Sequence, residues 1–176
     1  MLDTLSLGLD PVDEARAAEY MLLATLLARS PDAALLHRLA CLGGDASPLG
    51  AAHAALAAAA ARTGADAAAR EYHDLFVGLA RGELLPYASF YLTGFLQGRP
   101  LARLRDTMRA LGFTRAGGRG EPEDHAATVL ELMARLVQTQ PGAAGRVFDA
   151  HVAAWLPRFF LDLERAGSAD FYQSVG

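Results

Sequence analysis

The sequence predicts an all-α protein, a single-domain compact helical bundle of about seven or eight helices. Its composition is 52% hydrophobic and leans on alanine and leucine, both strong helix formers, whereas β-branched residues are scarce and asparagine is absent. A chain of 176 residues can build one sizeable core but is too short for two comfortable domains. Residues 1–176 are therefore expected to form one domain.

Three helices are predicted before Gly64, each opened by a proline. Proline suits the first helical position because the N–H that it lacks would have no partner there. The predicted starts are Asp10–Pro11, Pro31 and Ser47–Pro48, and the first two helices should end near Ser30 and at Gly43–Gly44. The third is rich in alanine, which lets neighbouring helices approach closely.

Two helices and a shorter one are predicted in the middle of the chain. The first covers residues 66–80, where large apolar side chains recur at i, i+3, i+4 and i+7. These side chains are Tyr72, Leu75, Phe76 and Leu79. A short helix over 89–95 should be closed by Gly94 or Gly98, and the next runs from Pro100 to Gly112 with its arginines on the outer side.

Two helices complete the predicted bundle. The glycine-rich segment Arg115–Gly120 follows a helix rather than a strand, so a flexible connection is predicted there instead of a phosphate-binding loop. The next helix should begin within about two residues of Pro122. A last long helix over 141–163 buries Trp155 and should be kinked at Pro157, which removes one hydrogen bond.

Composition and charge exclude several classes of protein. All 16 basic residues are arginine, so a Schiff-base lysine and a P-loop lysine are both ruled out. The net charge of −4 argues against a nucleic-acid binder, which needs a basic face. Cys41 alone can form neither an internal disulfide nor a zinc–thiolate set.

The N-terminal sequence indicates a cytoplasmic protein. It has neither the positive n-region nor the apolar h-region of an export signal. No apolar run approaches the ~20 residues that span a bilayer, so no membrane insertion is expected. A reducing compartment also fits the single cysteine.

The acidic cluster Glu121–His125 is the first candidate site. Glu121, Pro122 and Glu123 suit a helix N-terminus, where the dipole favours acid. A protonated histidine is disfavoured there, so Asp124 and His125 look more like site residues. The other histidines lie on separate predicted helices without metal-ligand spacing, so no metal and no cofactor are expected. A hydrolase with paired carboxylates is weakly supported, because Glu121 and Glu123 are expected at a solvated helix tip where burial would not separate their pKa values. A serine nucleophile is also weakly supported, because Ser89 lacks a GxSxG elbow.

An aromatic stretch supplies a second candidate site. Tyr87, Phe90, Tyr91 and Phe95 follow Pro86 at helical spacing. Two interpretations stay open: the rings form part of the core, or they form a wall that recognises an amphipathic peptide. The regular stripe around Tyr72, by contrast, is typical of a core.

Three blocks of residues together resemble a known family. They are Tyr72-x-x-Leu75-Phe76-x-Gly78, Pro86-x-x-Ser89-x-Tyr91 and Glu121-Pro122-x-Asp124-His125. In their order and spacing they resemble the TorD/DmsD/NarJ group of chaperones for molybdenum-containing redox enzymes. The resemblance covers most of the chain, from Tyr20 to Tyr172.

The resemblance implies a function without catalysis. Such a chaperone is all-helical, binds the twin-arginine signal peptide of a molybdoenzyme precursor and holds it until its molybdopterin cofactor is inserted. The implied peptide-binding positions are Pro86, Tyr87, Ser89, Tyr91, Glu121, Pro122, Asp124 and His125. Weak GTP binding, known for some relatives, has no supporting motif here. Two alternatives remain: a small helical hydrolase using Asp124 and His125, and a general peptide-binding adaptor.

The resemblance departs from the family at the C-terminus. Members usually have a further closing helix, whereas this chain stops after Phe171 to Gly176. That leaves open what covers the Trp155 to Leu163 face, and it allows either a monomer or a homodimer formed by segment exchange.

Electrostatics supports the same partner. An acidic helix tip beside an aromatic groove is complementary to two guanidinium groups beside an apolar segment. Tyr87, Tyr91, Asp124 and His125 are therefore predicted to lie on one surface. Asp124→Ala is predicted to weaken peptide binding by roughly 1 to 3 kcal/mol with little change in melting temperature.

Overall fold

The computed structural model describes residues 10–114 and 121–176, and within these ranges it is all-α. Nine α-helices, one π-helical turn and one 3-10 turn occur there, and the β-type pairing is a single bridge between Tyr87 and His125. The α-helices are α1 Pro11–Ala28, α2 Ala33–Leu39, α3 Pro48–Arg62, α4 Ala65–Tyr72, α5 Ala88–Thr93, α6 Arg99–Ala110, α7 Ala126–Thr139, α8 Pro141–His151 and α9 Leu156–Arg165. The predicted connection Arg115–Gly120 lies outside the described residues.

The core is built around α1 and α7, which form the most extensive helix pair. Nine of the 14 residues of α7 are buried, so this helix is covered on most of its circumference. Leu26 and Leu27 of α1 and Leu130, Met133 and Leu136 of α7 are among the largest fully buried side chains. Burying each of these apolar side chains contributes about 1.5 to 3 kcal/mol. No helix in the described ranges combines the length and the apolar character needed to cross a membrane.

Several predicted helix ends are confirmed because local capping decides them. The Asp10 carboxylate accepts the Val12 N–H at 2.9 Å at the start of α1, and the Ser47 hydroxyl accepts the Gly50 N–H at 3.0 Å at the start of α3. Gly94 ends α5 in the left-handed conformation. Gly112, with a φ of 77°, follows α6.

The prediction of one helix over residues 66–80 is wrong. The helix ends at Tyr72, a π-helical turn covers His73–Val77, and Gly78 then takes a φ of 62°. A Cβ atom at Gly78 would lie 2.0 Å from the Arg81 carbonyl oxygen, so the chain turns back closely at this point. Leu79 is therefore fully exposed rather than part of the stripe, whereas Leu75 is buried.

The predicted long helix over 141–163 is two helices, so the described residues contain nine α-helices where about seven or eight were predicted. The chain leaves helical geometry after His151 and resumes it at Leu156. Pro157 lies at the second position of α9, where a missing N–H costs nothing, so it starts a helix rather than kinking one. In the break, the Trp155 indole donates to the His151 carbonyl at 2.7 Å.

The C-terminal residues close the core. Trp155, Phe159 and Leu163 are buried within this chain, and so are Phe171 and Tyr172. Glu71 holds this end in place, because its carboxylate accepts the backbone N–H groups of residues 170, 171 and 172 at 2.7–3.1 Å. The Trp155 to Leu163 face, which the sequence left unexplained, is thus buried within the described residues.

Candidate functional site

Two helix N-termini cap one another at the centre of the family-like motifs. The Ala88 N–H, at the first position of α5, donates to the Asp124 carbonyl at 3.0 Å. The Ala126 N–H, at the first position of α7, donates to the Pro86 carbonyl at 2.7 Å. Helix starts have N–H groups without intrahelical partners, and here each start satisfies the other. We call this arrangement of residues 86–89 and 124–127 the cap joint.

Asp124 is an internal part of the cap joint. Its carboxylate Oδ2 accepts the Ser89 N–H at 2.8 Å, and both residues have 0% of their surface exposed. The second oxygen, Oδ1, is buried and has no hydrogen-bond partner among the described residues. The Ser89 hydroxyl in turn accepts the Gln97 N–H at 2.9 Å. The Asp124 side chain therefore positions α5 and the segment that follows it.

His125 is the N-cap of α7, which corrects two predictions. The helix begins at Ala126 and not near Pro122, whose carbonyl accepts the His125 N–H in a turn. The sequence also suggested that a histidine gains nothing at this position. Instead the neutral imidazole accepts the Ala127 N–H at Nδ1, 3.1 Å away, so it acts as a cap without positive charge.

The environment of His125 keeps it neutral. Burial lowers the pKa of this imidazole, and the nearby carboxylates of Glu121 and Asp124 oppose the shift without cancelling it. Its Nε2 atom lies 3.8 Å from the Glu121 carboxylate, which is 63% exposed. At that distance the exposed carboxylate makes no close hydrogen bond to the imidazole.

Two tyrosines border this group. Tyr87 is half-buried and its ring packs edge-on against His125 with centroids 5.1 Å apart. Burial raises the pKa of Tyr87, and the Glu121 and Asp124 carboxylates raise it further. Burial, with smaller contributions from Glu121 and Tyr87, raises the pKa of Tyr72 to about 12. Both phenols therefore stay protonated and can donate hydrogen bonds at neutral pH.

A cleft of about 590 Å³ opens beside the cap joint, between α1, the end of α6 and α7. Glu121 and His125 line it, so the family-like motif reaches the cleft through these two residues. Its apolar lining comes from Met21, Ala24, Ala28, Met108, Phe113, Ala127 and Leu132. Its polar lining comes from Thr25, Arg29, Thr114, Glu121, Glu123, His125, Thr128, Glu131 and Arg135. The Glu131–Arg135 pair, 2.8 Å apart, is a contact within α7.

Tyr91 points to another part of the molecule. Its hydroxyl donates to the Asp162 carboxylate at 3.1 Å, and its ring packs against Trp155 and Phe159. The Arg158 guanidinium lies 5.9 Å from the ring centroid. Burial and the Asp162 carboxylate raise the pKa of this phenol. Tyr91 therefore joins α5 to α9.

The structure separates the residues that the sequence grouped together. The sequence predicted that Tyr87, Tyr91, Asp124 and His125 lie on one surface, whereas Asp124 has no exposed surface and His125 is only 4% exposed. Pro86 and Ser89 are also buried, and Pro122 and Glu123 are partly exposed. Glu123 pairs with Arg105 at 2.7 Å. Whether any of these residues binds a peptide stays a prediction.

Sequence reasoning missed the contribution of α1 to the cleft. Met21, Thr25 and Arg29 recur at i, i+4 and i+8, a stripe beside the one that faces the core. Met21 is 40% exposed, which is unusual for a large apolar residue in the middle of a core helix. A large apolar residue such as Met21, beside the core-facing stripe of a predicted helix, is the signal that could have pointed to this wall.

The site combines backbone-capping side chains with the apolar and polar lining of a cleft. Asp124 Oδ2 accepts the Ser89 N–H and His125 Nδ1 accepts the Ala127 N–H, so one oxygen and one ring nitrogen of this pair hold helix starts in place. Among the described residues, no three or more His, Cys, Asp or Glu side chains are arranged to hold a metal ion. The arrangement can bind a ligand with apolar and cationic parts.

Comparisons with known proteins agree with the resemblance seen in the motifs. The family model described as nitrate reductase delta subunit matches residues 43–161. Chaperone protein TorD of Vibrio cholerae serotype O1 is 32% identical over 104 residues, which are 52% of this chain and 47% of that protein. A protein described as a probable Tat proofreading chaperone DmsD, from Haemophilus influenzae, is 29% identical over 60% of this chain and 53% of its own length. The chain thus spans about half the length of these curated relatives.

Two further matches extend over nearly the whole chain. Chaperone protein TorD of Shewanella pealeana is 27% identical and is matched over 99% of this chain and 89% of its own length. The crystal structure of a candidate redox enzyme maturation protein from Archaeoglobus fulgidus superimposes with a TM-score of 0.61 at 16% identity, over 99% of this chain and 94% of that one. The second match shows a shared fold. Together with the family match, these results confirm the resemblance to the TorD/DmsD/NarJ group, and the chain belongs to the nitrate reductase delta subunit family.

Proposed function

We propose that this protein is a cytoplasmic maturation chaperone without catalytic activity. It binds the N-terminal twin-arginine signal peptide of a molybdopterin-dependent oxidoreductase and holds the precursor back until the cofactor is inserted. The support is twofold. Curated relatives are named as TorD chaperones and as a Tat proofreading chaperone, and the cleft has the chemistry that such a peptide requires.

The lining of the cleft is the observation on which the proposal depends. Side chains from three elements, among them Met21, Met108 and Leu132, form an apolar surface. At its edge lies the Glu121 carboxylate, exposed and beside a neutral histidine. A twin-arginine signal combines two guanidinium groups with an apolar segment. Apolar contact supplies affinity, and a carboxylate that forms charge-assisted hydrogen bonds to arginine supplies selectivity.

The size of the cleft sets the expected affinity. A volume of about 590 Å³ accommodates a few large side chains rather than a folded domain. Burying about four such side chains yields roughly 6 to 12 kcal/mol gross, and ordering a flexible peptide removes roughly 2 to 5 kcal/mol of that. A dissociation constant on the micromolar scale is expected.

Calorimetric titration tests this function. The probe is a synthetic peptide with two consecutive arginines followed by an apolar segment, compared with the same peptide carrying two glutamines in their place. Glu121→Gln should weaken binding of the arginine peptide about fivefold, as expected for an exposed ion pair, and should leave the glutamine peptide unaffected. Met21→Ser should weaken the binding of both peptides, because it removes an apolar contact in the cleft.

The matched control is Glu164→Gln, an exposed glutamate of α9, which does not line the cleft. It should bind both peptides as the wild type does. Equal binding of the two peptides by the wild type would refute recognition of the arginines and would favour the general adaptor. Unchanged binding by both Glu121→Gln and Met21→Ser would show that the peptide does not use this cleft.

A further inference from the structure

Three large apolar side chains are exposed together in the connection between α5 and α6. Leu92, Phe95 and Leu96 are 45%, 76% and 48% exposed. None of them lines the 590 Å³ cleft. We call these three residues the apolar tip. Single exposed leucines are common on soluble proteins, but three large apolar groups within five residues form a patch.

The backbone holds the apolar tip in a defined shape. Gly94, Gln97 and Gly98 have φ values of 79°, 68° and 79°. A left-handed conformation is costly for glutamine and persists only where neighbouring contacts enforce it. Here the Gln97 N–H donates to the buried Ser89 hydroxyl at 2.9 Å. The Thr93 hydroxyl lies within hydrogen-bonding distance of the Phe95 carbonyl, at 3.2 Å, and of the Ser89 carbonyl, at 2.7 Å.

Positive charge lies directly beside the apolar tip. Arg99 and Arg103 are exposed residues in the first turns of α6, and no ion pair is seen for either within the described part of the chain. Arg103 and Leu92 also line a common pocket of about 70 Å³, so the charge and the apolar surface adjoin. The buried residue Asp124 also lines that pocket. Nearby acids already have arginine partners: the exposed Asp106 pairs with Arg109 at 2.9 Å, and the partly exposed Glu123 pairs with Arg105 at 2.7 Å.

The area of the patch decides what kind of partner fits. At these exposures the three side chains offer apolar surface on the order of 300 Å², judged from typical side-chain areas. A specific protein interface buries about 800 Å² on each partner, so the tip alone is too small. A few apolar groups flanked by arginines are sufficient for reversible seating on a lipid surface that contains anionic headgroups.

We propose that the apolar tip, together with Arg99 and Arg103, seats this protein reversibly on the surface of an anionic lipid bilayer. Leu92, Phe95 and Leu96 enter the boundary between headgroups and acyl chains, while the two guanidinium groups stay among the headgroups. The contact is peripheral, and no helix crosses the bilayer. This inference does not depend on the proposed function, because the tip and the cleft have no lining residue in common.

Co-sedimentation of the full chain with lipid vesicles tests the proposal. One set of vesicles is phosphatidylcholine alone, and the other contains one third phosphatidylglycerol. The wild type should bind the anionic vesicles more strongly although its net charge is −4, because the local arginine pair determines the contact. Phe95→Ser should reduce partitioning about tenfold. Arg99→Gln and Arg103→Gln should each reduce it about fivefold, on anionic vesicles only.

Two exposed residues elsewhere serve as controls. Leu49→Ser on α3 removes a large exposed apolar side chain and Arg38→Gln on α2 removes an exposed guanidinium group, and both variants should bind vesicles as the wild type does. Phe95 is largely exposed, so its replacement should leave the melting curve unchanged. Absence of wild-type binding to anionic vesicles overturns the proposal, as does an equal loss for the tip variants and the controls. If only peptide or protein binding responds to Phe95→Ser, the tip is a protein contact and the membrane inference is wrong.

Discussion

Replacing Asp124 with alanine should destabilise the fold by about 2 kcal/mol. Its carboxylate accepts the Ser89 N–H at 2.8 Å, and that N–H group belongs to the first turn of α5, where no intrahelical partner exists. Both residues are completely buried, so water cannot replace the lost acceptor. An unsatisfied buried donor costs ~1–3 kcal/mol, which overlaps the ~1 kcal/mol typical of a lost N-cap. For a chain of this length the melting temperature should fall by about 4–8 °C.

Asp124→Asn is the matched comparison. Asparagine keeps an oxygen in the position of Oδ2 and places an amide where the unpartnered Oδ1 lies. Because the Ser89 N–H keeps its acceptor, we expect a loss below ~1 kcal/mol in the free energy of unfolding. Urea denaturation at neutral pH, followed by circular dichroism, measures both variants. The reasoning fails if the alanine variant is as stable as the wild type, or if asparagine is as damaging as alanine.

This result bears on how binding data are interpreted. The sequence predicted that Asp124→Ala would weaken peptide binding without changing the melting temperature. Because Asp124 is buried, we now expect its replacement to lower the melting temperature as well. Any loss of binding by this variant must be measured at a temperature where the variant is fully folded, and Glu121, which is exposed, is the better probe of direct contact.

Three further predictions concern other parts of the structure. His125→Asn should reduce the loss of stability between about pH 7.5 and about pH 5, measured by urea denaturation. Burial lowers the pKa of His125 in the folded state, so the unfolded chain takes up the proton first as the pH falls. The free energy of unfolding of the wild type therefore decreases below about pH 6.5. Asparagine caps the helix without titrating. Glu71→Ala should lower the free energy of unfolding by about 2–3 kcal/mol, because the backbone N–H groups of residues 170–172 lose their acceptor. A urea midpoint equal to that of the wild type would contradict this prediction. Gln97→Gly should raise the free energy of unfolding by about 0.5–1 kcal/mol, because glycine adopts a φ of 68° without strain, and a decrease in a urea melt would show that the Gln97 side chain contributes contacts of its own.

Short-range signals in the sequence were sufficient for the fold class and for many helix ends. Alanine and leucine dominate and strand formers are scarce, so a helical bundle was the expected result. Asp10 and Ser47 cap α1 and α3 through hydrogen bonds to residues two and three positions further along the chain. Gly94 and Gly112 stop helices through their own backbone conformation. Both partners of such an interaction lie within two or three residues of each other, so the interaction can be predicted from the local sequence.

The start of α7 and the burial of Asp124 required the tertiary structure. Proline and acids from Glu121 to Asp124 look like a helix start, yet α7 begins at Ala126. Its first N–H donates to the Pro86 carbonyl, and the Asp124 carboxylate accepts the Ser89 N–H from 35 positions away in the chain. A local pattern cannot show such a partner, and so the burial of the Asp124 carboxylate could not be predicted from the sequence around it.

The amino-acid sequence by itself determined an all-helical chain, the family to which it belongs and the residues of its motifs. Only the tertiary structure decided what those residues do. Asp124 and Ser89 hold the cap joint, whereas Glu121 and His125 face a cleft whose other wall is Met21 and its neighbours on α1. The physical reason is that residue type fixes local backbone preference, while exposure and the choice of hydrogen-bond partner depend on which distant segments pack together.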